Sequence, residues 1–308
     1  NELQKKLKNS GFNVKTLSIP NGEKTKSLKE FENLHQQLLK FNCDRKSILL
    51  ALGGGVVGDI TGFVASTFMR GIEYIQIPTT LLAMIDSSIG GKTGVNLNLG
   101  KNLIGAFHQP RAVIIDPEFV STLPHREIIS AFGEMIKYGV IADVLFFKWL
   151  DKNLLSLISN KDITLLEKAI IKSVDIKAKI VAEDEMENGI RKFLNFGHTI
   201  GHALETVLDY GTLVHGEAVS YGMISAGYLS TQKTNLTNKD YLRLKSAINK
   251  LSLPRLNGLN NKTIIQIIKQ DKKAINGKIN FVLLQEIGKP IIVDTIDEGI
   301  IKSSLGKL

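Results

Sequence analysis

The sequence holds a single cysteine, Cys43, in 308 residues. An internal disulfide framework and a cysteine-rich zinc site each need more than one, so both are excluded. No apolar run approaches the roughly 18 residues that a membrane-spanning helix requires. The opening residues lack the basic and apolar regions of a secretory signal, so a cytoplasmic protein is expected. The chain starts at Asn1 rather than Met, so a processed, truncated or incomplete copy is expected. No block of about five or six like charges exists, which argues against a basic nucleic-acid arm. Internal repeats and low-complexity segments are also missing.

What is present is an ordinary globular mixture, 43% hydrophobic and 22% charged. The length favours two domains or one large one. Lys and Arg number 39 against 30 Asp and Glu, a net charge of +9 spread along the chain. That balance suits an enzyme that handles anionic small molecules, with no nucleic-acid or membrane partner.

The first part alternates between two periods. Strand-like runs cover Asn13–Ile19, Ser47–Leu52, Glu73–Ile77 and Arg111–Ile115. Helical spacing covers Ser27–Phe41 and Val56–Met69. Strands alternating with helices imply a parallel sheet. From Pro124 onward helices dominate: Arg126–Ile141, Val144–Leu150, Leu165–Ala182, His198–Leu208, Glu217–Ser230 and Lys239–Leu251. A small hairpin is expected from Ile279–Leu284 and Pro290–Val293 around Ile287-Gly288. Thr231–Lys239 reads as a surface loop. The fold class is therefore α/β: a Rossmann-like parallel-sheet domain over 1–123, then a mostly helical domain over 124–308.

The sharpest local signal is Gly53-Gly54-Gly55-Val56-Val57-Gly58-Asp59. It follows a buried-strand pattern and opens a helix, and Gly53, Gly55 and Gly58 fit G-x-G-x-x-G. Glycines there let a pyrophosphate approach backbone N–H groups at a helix N-terminus. The plain alternative is a glycine-rich turn with no ligand. The acid expected about 20 residues on would be Glu73, but Glu73 opens the next strand rather than ending it. A second cluster, Gly90-Gly91-Lys92-Thr93-Gly94, resembles the end of a P-loop. The first glycine of that pattern falls on Asp86, whose charge would repel phosphate, so an ATPase reading is poor. Lys92 is then either an anion contact or a solvated loop lysine.

His198 and His202 lie at i and i+4 on one helical face, and His215 follows in His215-Gly216-Glu217. His125 precedes the helix that carries Glu134 and Lys137. Imidazoles and a carboxylate from separate helices suit a metal site with an open position. By spacing alone His198 and His202 are the natural pair, although core or surface histidines remain the bland alternative. Thr199 stands where a zinc protease of the H-E-x-x-H type needs Glu.

Taken as an ordered set, these residues resemble the 3-dehydroquinate synthase family of sugar-phosphate cyclases. The resemblance runs from Pro20 to about Leu284. It rests on Asn21-Gly22-Glu23 with Lys26, Gly54-Gly55-Val56 with Asp59, Met69-Arg70-Gly71 and Pro78-Thr79-Thr80-Leu81-Leu82-Ala83. It continues through Asp86-Ser87-Ser88 with Gly90-Gly91-Lys92, Gly100-Lys101-Asn102 and Phe119-Val120-Ser121-Thr122-Leu123. Gly133-Glu134 with Lys137, Asn195-Phe196-Gly197-His198 and His215-Gly216-Glu217 complete it. Two departures stand out. Asn21 replaces an Asp common in the family, and the family's first strands precede the point where this chain begins.

The resemblance implies conversion of 3-deoxy-D-arabino-heptulosonate 7-phosphate to 3-dehydroquinate and phosphate. Transient oxidation by NAD acidifies a neighbouring C–H, and phosphate leaves by β-elimination. Reduction, ring opening and an intramolecular aldol closure follow. A metal, Zn²⁺ or Co²⁺, strengthens the carbonyl effect. The implied metal ligands are Glu134, His198 and His215, which moves His202 off the metal to a phosphate and proton-transfer role. Lys92, Asn102, Lys137, Lys177, Arg191, Asn195 and the Lys272-Lys273 pair are implied around the substrate. Arg70 is implied to reach a neighbouring subunit's site, hence a homodimer. The implied NAD set is Asn21, Gly22, Glu23, Lys26, Gly54, Gly55, Val56, Val57, Gly58, Asp59, Thr79, Thr80, Asp86, Lys92, Lys101, Phe119, Thr122 and Leu123. The enzyme alternatives are a sister cyclase such as 2-deoxy-scyllo-inosose synthase and a polyol dehydrogenase of the glycerol dehydrogenase type. A non-catalytic remnant is the third.

Overall fold

Two parallel strands and the helix that crosses between them organise the first part of the chain. The structure is a computed structural model that describes residues 2–97, 100–160, 162–208, 212–256, 258–274, 280–294 and 296–308, without the side chains of 160 and 270–274. It divides into two units, Asn1–Thr79 with Gly91–Ile115, and Thr80–Gly90 with Asp116–Leu308.

In the first unit α1 is Glu2–Asn9, α2 Leu28–Lys40, β1 Leu49–Gly53, α3 Gly55–Thr67 and β2 Tyr74–Pro78. β3 (Lys92–Leu97), β4 (Gly100–Phe107) and β5 (Ala112–Val113) follow. β1 pairs parallel with β2 from Leu49 opposite Tyr74 to Gly53 opposite Pro78, and β5 joins the other side of β2. A parallel pair needs a long crossover, and α3 supplies it. α2 starts where the Ser27 hydroxyl accepts from the Glu30 N–H, a side-chain cap for an otherwise orphan donor. Leu34 and Leu38 of α2 pack with Ile60, Phe63 and Val64 of α3 and with Tyr74 and Val95. Full burial of each such side chain contributes about 1.5–3 kcal/mol.

Two strand features of the first unit differ from the sequence reading. Asn13–Ile19 forms no strand. Its residues are mostly exposed, and no described strand offers it a ladder. The glycine cluster at Lys92 is instead the start of the antiparallel pair β3–β4. Glycines weaken the strand signal, which hid this pair from pattern reading.

The second unit holds α4 (His125–Ala142), α5 (Val144–Asn160), α6 (Ile163–Glu183), α7 (His198–Val207), α8 (His215–Lys233), α9 (Asn238–Asn249) and α10 (Asn261–Ala274). The pair β6 (Phe281–Glu286) and β7 (Lys289–Val293) and the helix α11 (Glu298–Leu305) end it. Every residue of α4 from Ile128 to Ile141 is buried. A helix buried on all sides is a core helix, and α8 packs along it, with α7 on α8. The expected hairpin turns at Ile287-Gly288 as read, while Ile279 lies outside the described residues. α8 extends to Lys233, so the expected loop after Ser230 shrinks to 234–237. Among the described residues no helix is long and apolar enough to cross a membrane.

Candidate metal centre

Glu134 sits in the middle of α4 with no exposed surface. Burying a carboxylate is costly unless it is paired. Lys137, one turn on and 2% exposed, forms an ion pair with its Oε2. Oε1 has no hydrogen-bond partner among the described residues, and Oε2 is met by Lys137. His198 is the first residue of α7 and His215 the first of α8. The Nε2 atoms of both lie 3.8 Å from Glu134 Oε1, and one donor atom from each of the three residues falls within 4.8 Å of the others. Two imidazoles and a buried carboxylate with open lone pairs fit a divalent cation such as zinc and leave further coordination positions for substrate.

Two glycines let these helices come together. A Cβ on Gly216 would lie 1.8 Å from the Ser130 carbonyl oxygen of α4, and its N–H donates to Ser130 Oγ at 3.0 Å. Gly197 takes φ +83° immediately before His198, and a Cβ there would lie 2.8 Å from Val219 O. Only a residue without a side chain tolerates both the left-handed turn and the close approach. The start of α8 is also clamped. Glu217 accepts from Arg126 Nε at 2.8 Å and Nη2 at 2.7 Å, and from the Val214 N–H at 3.0 Å. Arg126 further donates to Thr212 O. This bidentate pair holds the segment that delivers His215.

Electrostatics separates the two imidazoles. Burial, helped by the Lys137 charge, pushes His198 well below the usual range, so it is neutral. Burial also pulls His215 down, but Glu205 and Glu134 outweigh it and the net shift is upward. His202, one turn beyond His198 on α7, stacks edge-on to it at 5.4 Å and tilted to His215 at 5.9 Å. It does not share the group around Glu134, but it groups with Glu205 and His215.

A cationic network adjoins α4. Lys177 of α6 donates to Asp86 Oδ1 at 2.6 Å and to its carbonyl at 2.7 Å. Tyr138 donates to the same Oδ1 at 2.5 Å. Burial would raise the Asp86 carboxyl, but Lys177 and Lys137 hold it well below the usual carboxylate range. Burial, with the Asp86 charge beside it, drives the Tyr138 phenol well upward. Arg191 is 2% exposed and donates to the Gly90 carbonyl at 2.9 Å and to Glu185 O. Asn195 donates to Glu187 at 2.8 Å.

In the first unit Lys26, 4% exposed, donates to Asp59 at 2.7 Å and Asn102 at 2.5 Å, and lies 3.7 Å from Glu23. Asn96 bridges Glu23 and the Asn102 N–H. Gly54 caps α3, so the N–H groups of Gly55, Val56 and Val57 head a helix that follows β1. That is the arrangement in which a helix N-terminus receives a phosphate, so the turn fits a dinucleotide. Gly58 lies against Gln76 in the same unit, and the Thr79 N–H donates to Gly53 O.

The residues read from sequence fall in both units. Asn21, Gly22, Thr79, Lys92, Lys101 and Arg70 stand in the first, with Lys92, Lys101 and Arg70 exposed. Thr80, Asp86, Phe119, Thr122 and Leu123 stand in the second. Lys272 and Lys273 belong to α10, but their side chains lie outside the described residues. Pattern reading missed Tyr138, Glu205, Arg126 and Glu187. Glu205 had a signal, since it follows His202 at helical i+3 spacing, whereas the other three are recognised only by their partners.

An α/β unit and a helical unit, the latter holding a Glu-His-His set with its carboxylate buried, define a metal-dependent enzyme. Two solved structures share this build. One is the 2-epi-5-epi-valiolone synthase ValA of Streptomyces hygroscopicus subsp. jinggangensis with NAD⁺ and Zn²⁺ bound, with a TM-score of 0.87 at 28% identity, covering 93% of this chain and 80% of that one. The other is 2-deoxy-scyllo-inosose synthase with carbaglucose-6-phosphate, NAD⁺ and Co²⁺, with a TM-score of 0.84 at 27% identity, covering 96% and 83%. The 3-dehydroquinate synthase of Desulforamulus reducens is 47% identical over 98% of this chain and 84% of its own length. Models of the N-terminal and C-terminal parts of 3-dehydroquinate synthase match residues 16–130 and 131–274. The chain belongs to the 3-dehydroquinate synthase family.

Proposed function

We propose that the chain catalyses conversion of 3-deoxy-D-arabino-heptulosonate 7-phosphate to 3-dehydroquinate and phosphate, in the shikimate route to aromatic amino acids. The observation that carries this is the set of buried Glu134 with the half-buried His198 and His215 in a chain 47% identical to a synthase of that name. The sister cyclases are 27–28% identical, which makes them the weaker reading.

Glu134, His198 and His215 would hold the metal, and the glycine turn at Gly54-Gly55 with Lys26 and Asp59 would hold NAD. Bound zinc or cobalt supplies Lewis-acid polarisation of the substrate's oxygens, and bound NAD accepts and returns a hydride. The chain's own residues orient the substrate. Lys137, Lys177 and Arg191 are fixed cations for its carboxylate and phosphate, and fixed charge restricts the reacting groups to one geometry. The resemblance adds Lys92, Asn102, Asn195 and Lys273 as candidate substrate contacts. His202 stacks on His198 and is not one of the three donors around Glu134, and in this reading it would move a proton at the phosphate end. Arg70 is exposed in a left-handed turn at φ +72° and would serve a neighbouring copy's site in a homodimer. We place the protein in the cytoplasm.

The test is phosphate release from the heptulosonate substrate, with NAD and zinc each required. Turnover of glucose 6-phosphate alone would move the chain to the inosose synthases. Steady NADH release with a polyol would move it to the dehydrogenases.

A further inference from the structure

The His215 imidazole has a carboxylate at each nitrogen. Nε2 lies 3.8 Å from Glu134 Oε1, and Nδ1 lies 3.4 Å from Glu205 Oε1. Glu205 stands on α7, and its side chain is 10% exposed. A carboxylate so enclosed demands a partner. The spacing of His198, His202 and Glu205 along α7 puts all three on one helical face. The helix that provides one donor at its start therefore presents a carboxylate to the donor on α8.

We propose that Glu205 is a positioning residue for the metal centre. It accepts the Nδ1–H of His215. That contact selects the tautomer whose Nε2 lone pair faces Glu134, sets the ring plane and strengthens Nε2 as a donor. Metal-bound histidines generally rely on such an outer partner. The inference rests on the metal reading above and goes beyond it by assigning the carboxylate that orients one ligand.

His202, Glu205 and His215 also place donor atoms within 4.8 Å of one another. A second cation there would share the His215 ring with the first, and its Nδ1 proton would have to leave. A single proton on Nδ1 satisfies Glu205 at no such cost, so the geometry favours one metal with an orienting carboxylate.

The experiment measures zinc stoichiometry and affinity on the purified full chain by chelator competition, with the visible spectrum of the Co²⁺ form as a second readout. Glu205→Ala and Glu205→Gln are compared with the unaltered protein. The proposal expects one zinc per chain and an affinity about 10- to 100-fold lower in Glu205→Ala, with an altered Co²⁺ spectrum. Glu205→Gln keeps an acceptor oxygen without the charge, so it should lose less. It carries the test if the alanine variant does not fold. Unchanged affinity in the variants, or two zinc ions per chain with one lost in both variants, overturns the proposal. Failure of the unaltered chain to bind zinc overturns the metal reading itself, so the two failures are distinct.

Discussion

Tyr138 and Lys177 meet on one oxygen: the phenol donates to Asp86 Oδ1 at 2.5 Å and the ammonium at 2.6 Å. The three residues come from α4, α6 and the short helical turn at Ala83–Ser87. The carboxylate neutralises a region that would otherwise hold Lys137 and Lys177 with too little compensation. Removing one member of a buried pair costs roughly 3–5 kcal/mol, and partial exposure of the Asp86 side chain (26%) reduces this to about 2–3 kcal/mol for Asp86→Asn. Urea unfolding at neutral pH measures it.

The same pair has a pH signature. The folded Asp86 carboxyl lies below its unfolded value, so its stabilisation is present above the ordinary carboxylate range and lost as pH falls through it. The stability gap between the unaltered chain and Asp86→Asn should narrow as pH drops below about 4. A gap that widens on acidification would contradict this assignment.

His215→Ala should abolish activity and lower bound zinc, because it removes a donor at the Glu134 carboxylate. His202→Ala should spare the zinc and lower turnover by about 10²- to 10⁴-fold if it moves a proton. Metal analysis of both purified variants decides between them. Loss of zinc in both would mean that the ligand assignment is wrong.

Gly216→Ala introduces a Cβ at 1.8 Å from a backbone oxygen of α4, which cannot rotate away. Overpacking of this kind costs typically about 1–3 kcal/mol. The strain falls next to His215, so zinc affinity should drop along with the melting temperature, read by calorimetry with and without metal.

Arg126→Ala leaves the Glu217 carboxylate, 1% exposed, without its bidentate partner. Arg126 is itself 45% exposed, so a loss of about 1–3 kcal/mol is expected, below that of a fully buried pair. Hydrogen exchange at the start of α8 should speed up more than exchange in α5.

Much of the fold was legible because periodicity is local. α2, α3, α4 and α9 appear where three- and four-residue spacing put them, and the β1-turn-α3 unit was readable from an apolar run ending in glycines. The failures among the strands have two causes. The Asn13–Ile19 run looks like a strand, yet a strand exists only if another supplies hydrogen bonds. The β3–β4 pair was hidden because its glycines carry no side-chain signal, while the Thr93 hydroxyl, bonded to Ala106 O at 2.8 Å, helps to hold the two strands.

By itself the sequence determined the chemical inventory: the ordered glycine, lysine and histidine motifs, the Glu-Lys pair one helical turn apart, and the family they resemble. Spacing along the chain favoured His198 with His202. Only the tertiary structure set His198 beside Glu134 and His215, placed Tyr138 and Lys177 on Asp86, and turned Glu205 toward the far nitrogen of His215. The reason is physical. Periodicity governs neighbours within a helical turn, whereas distances between separate helices are decided by how closely their backbones can pack, here at Gly197 and Gly216.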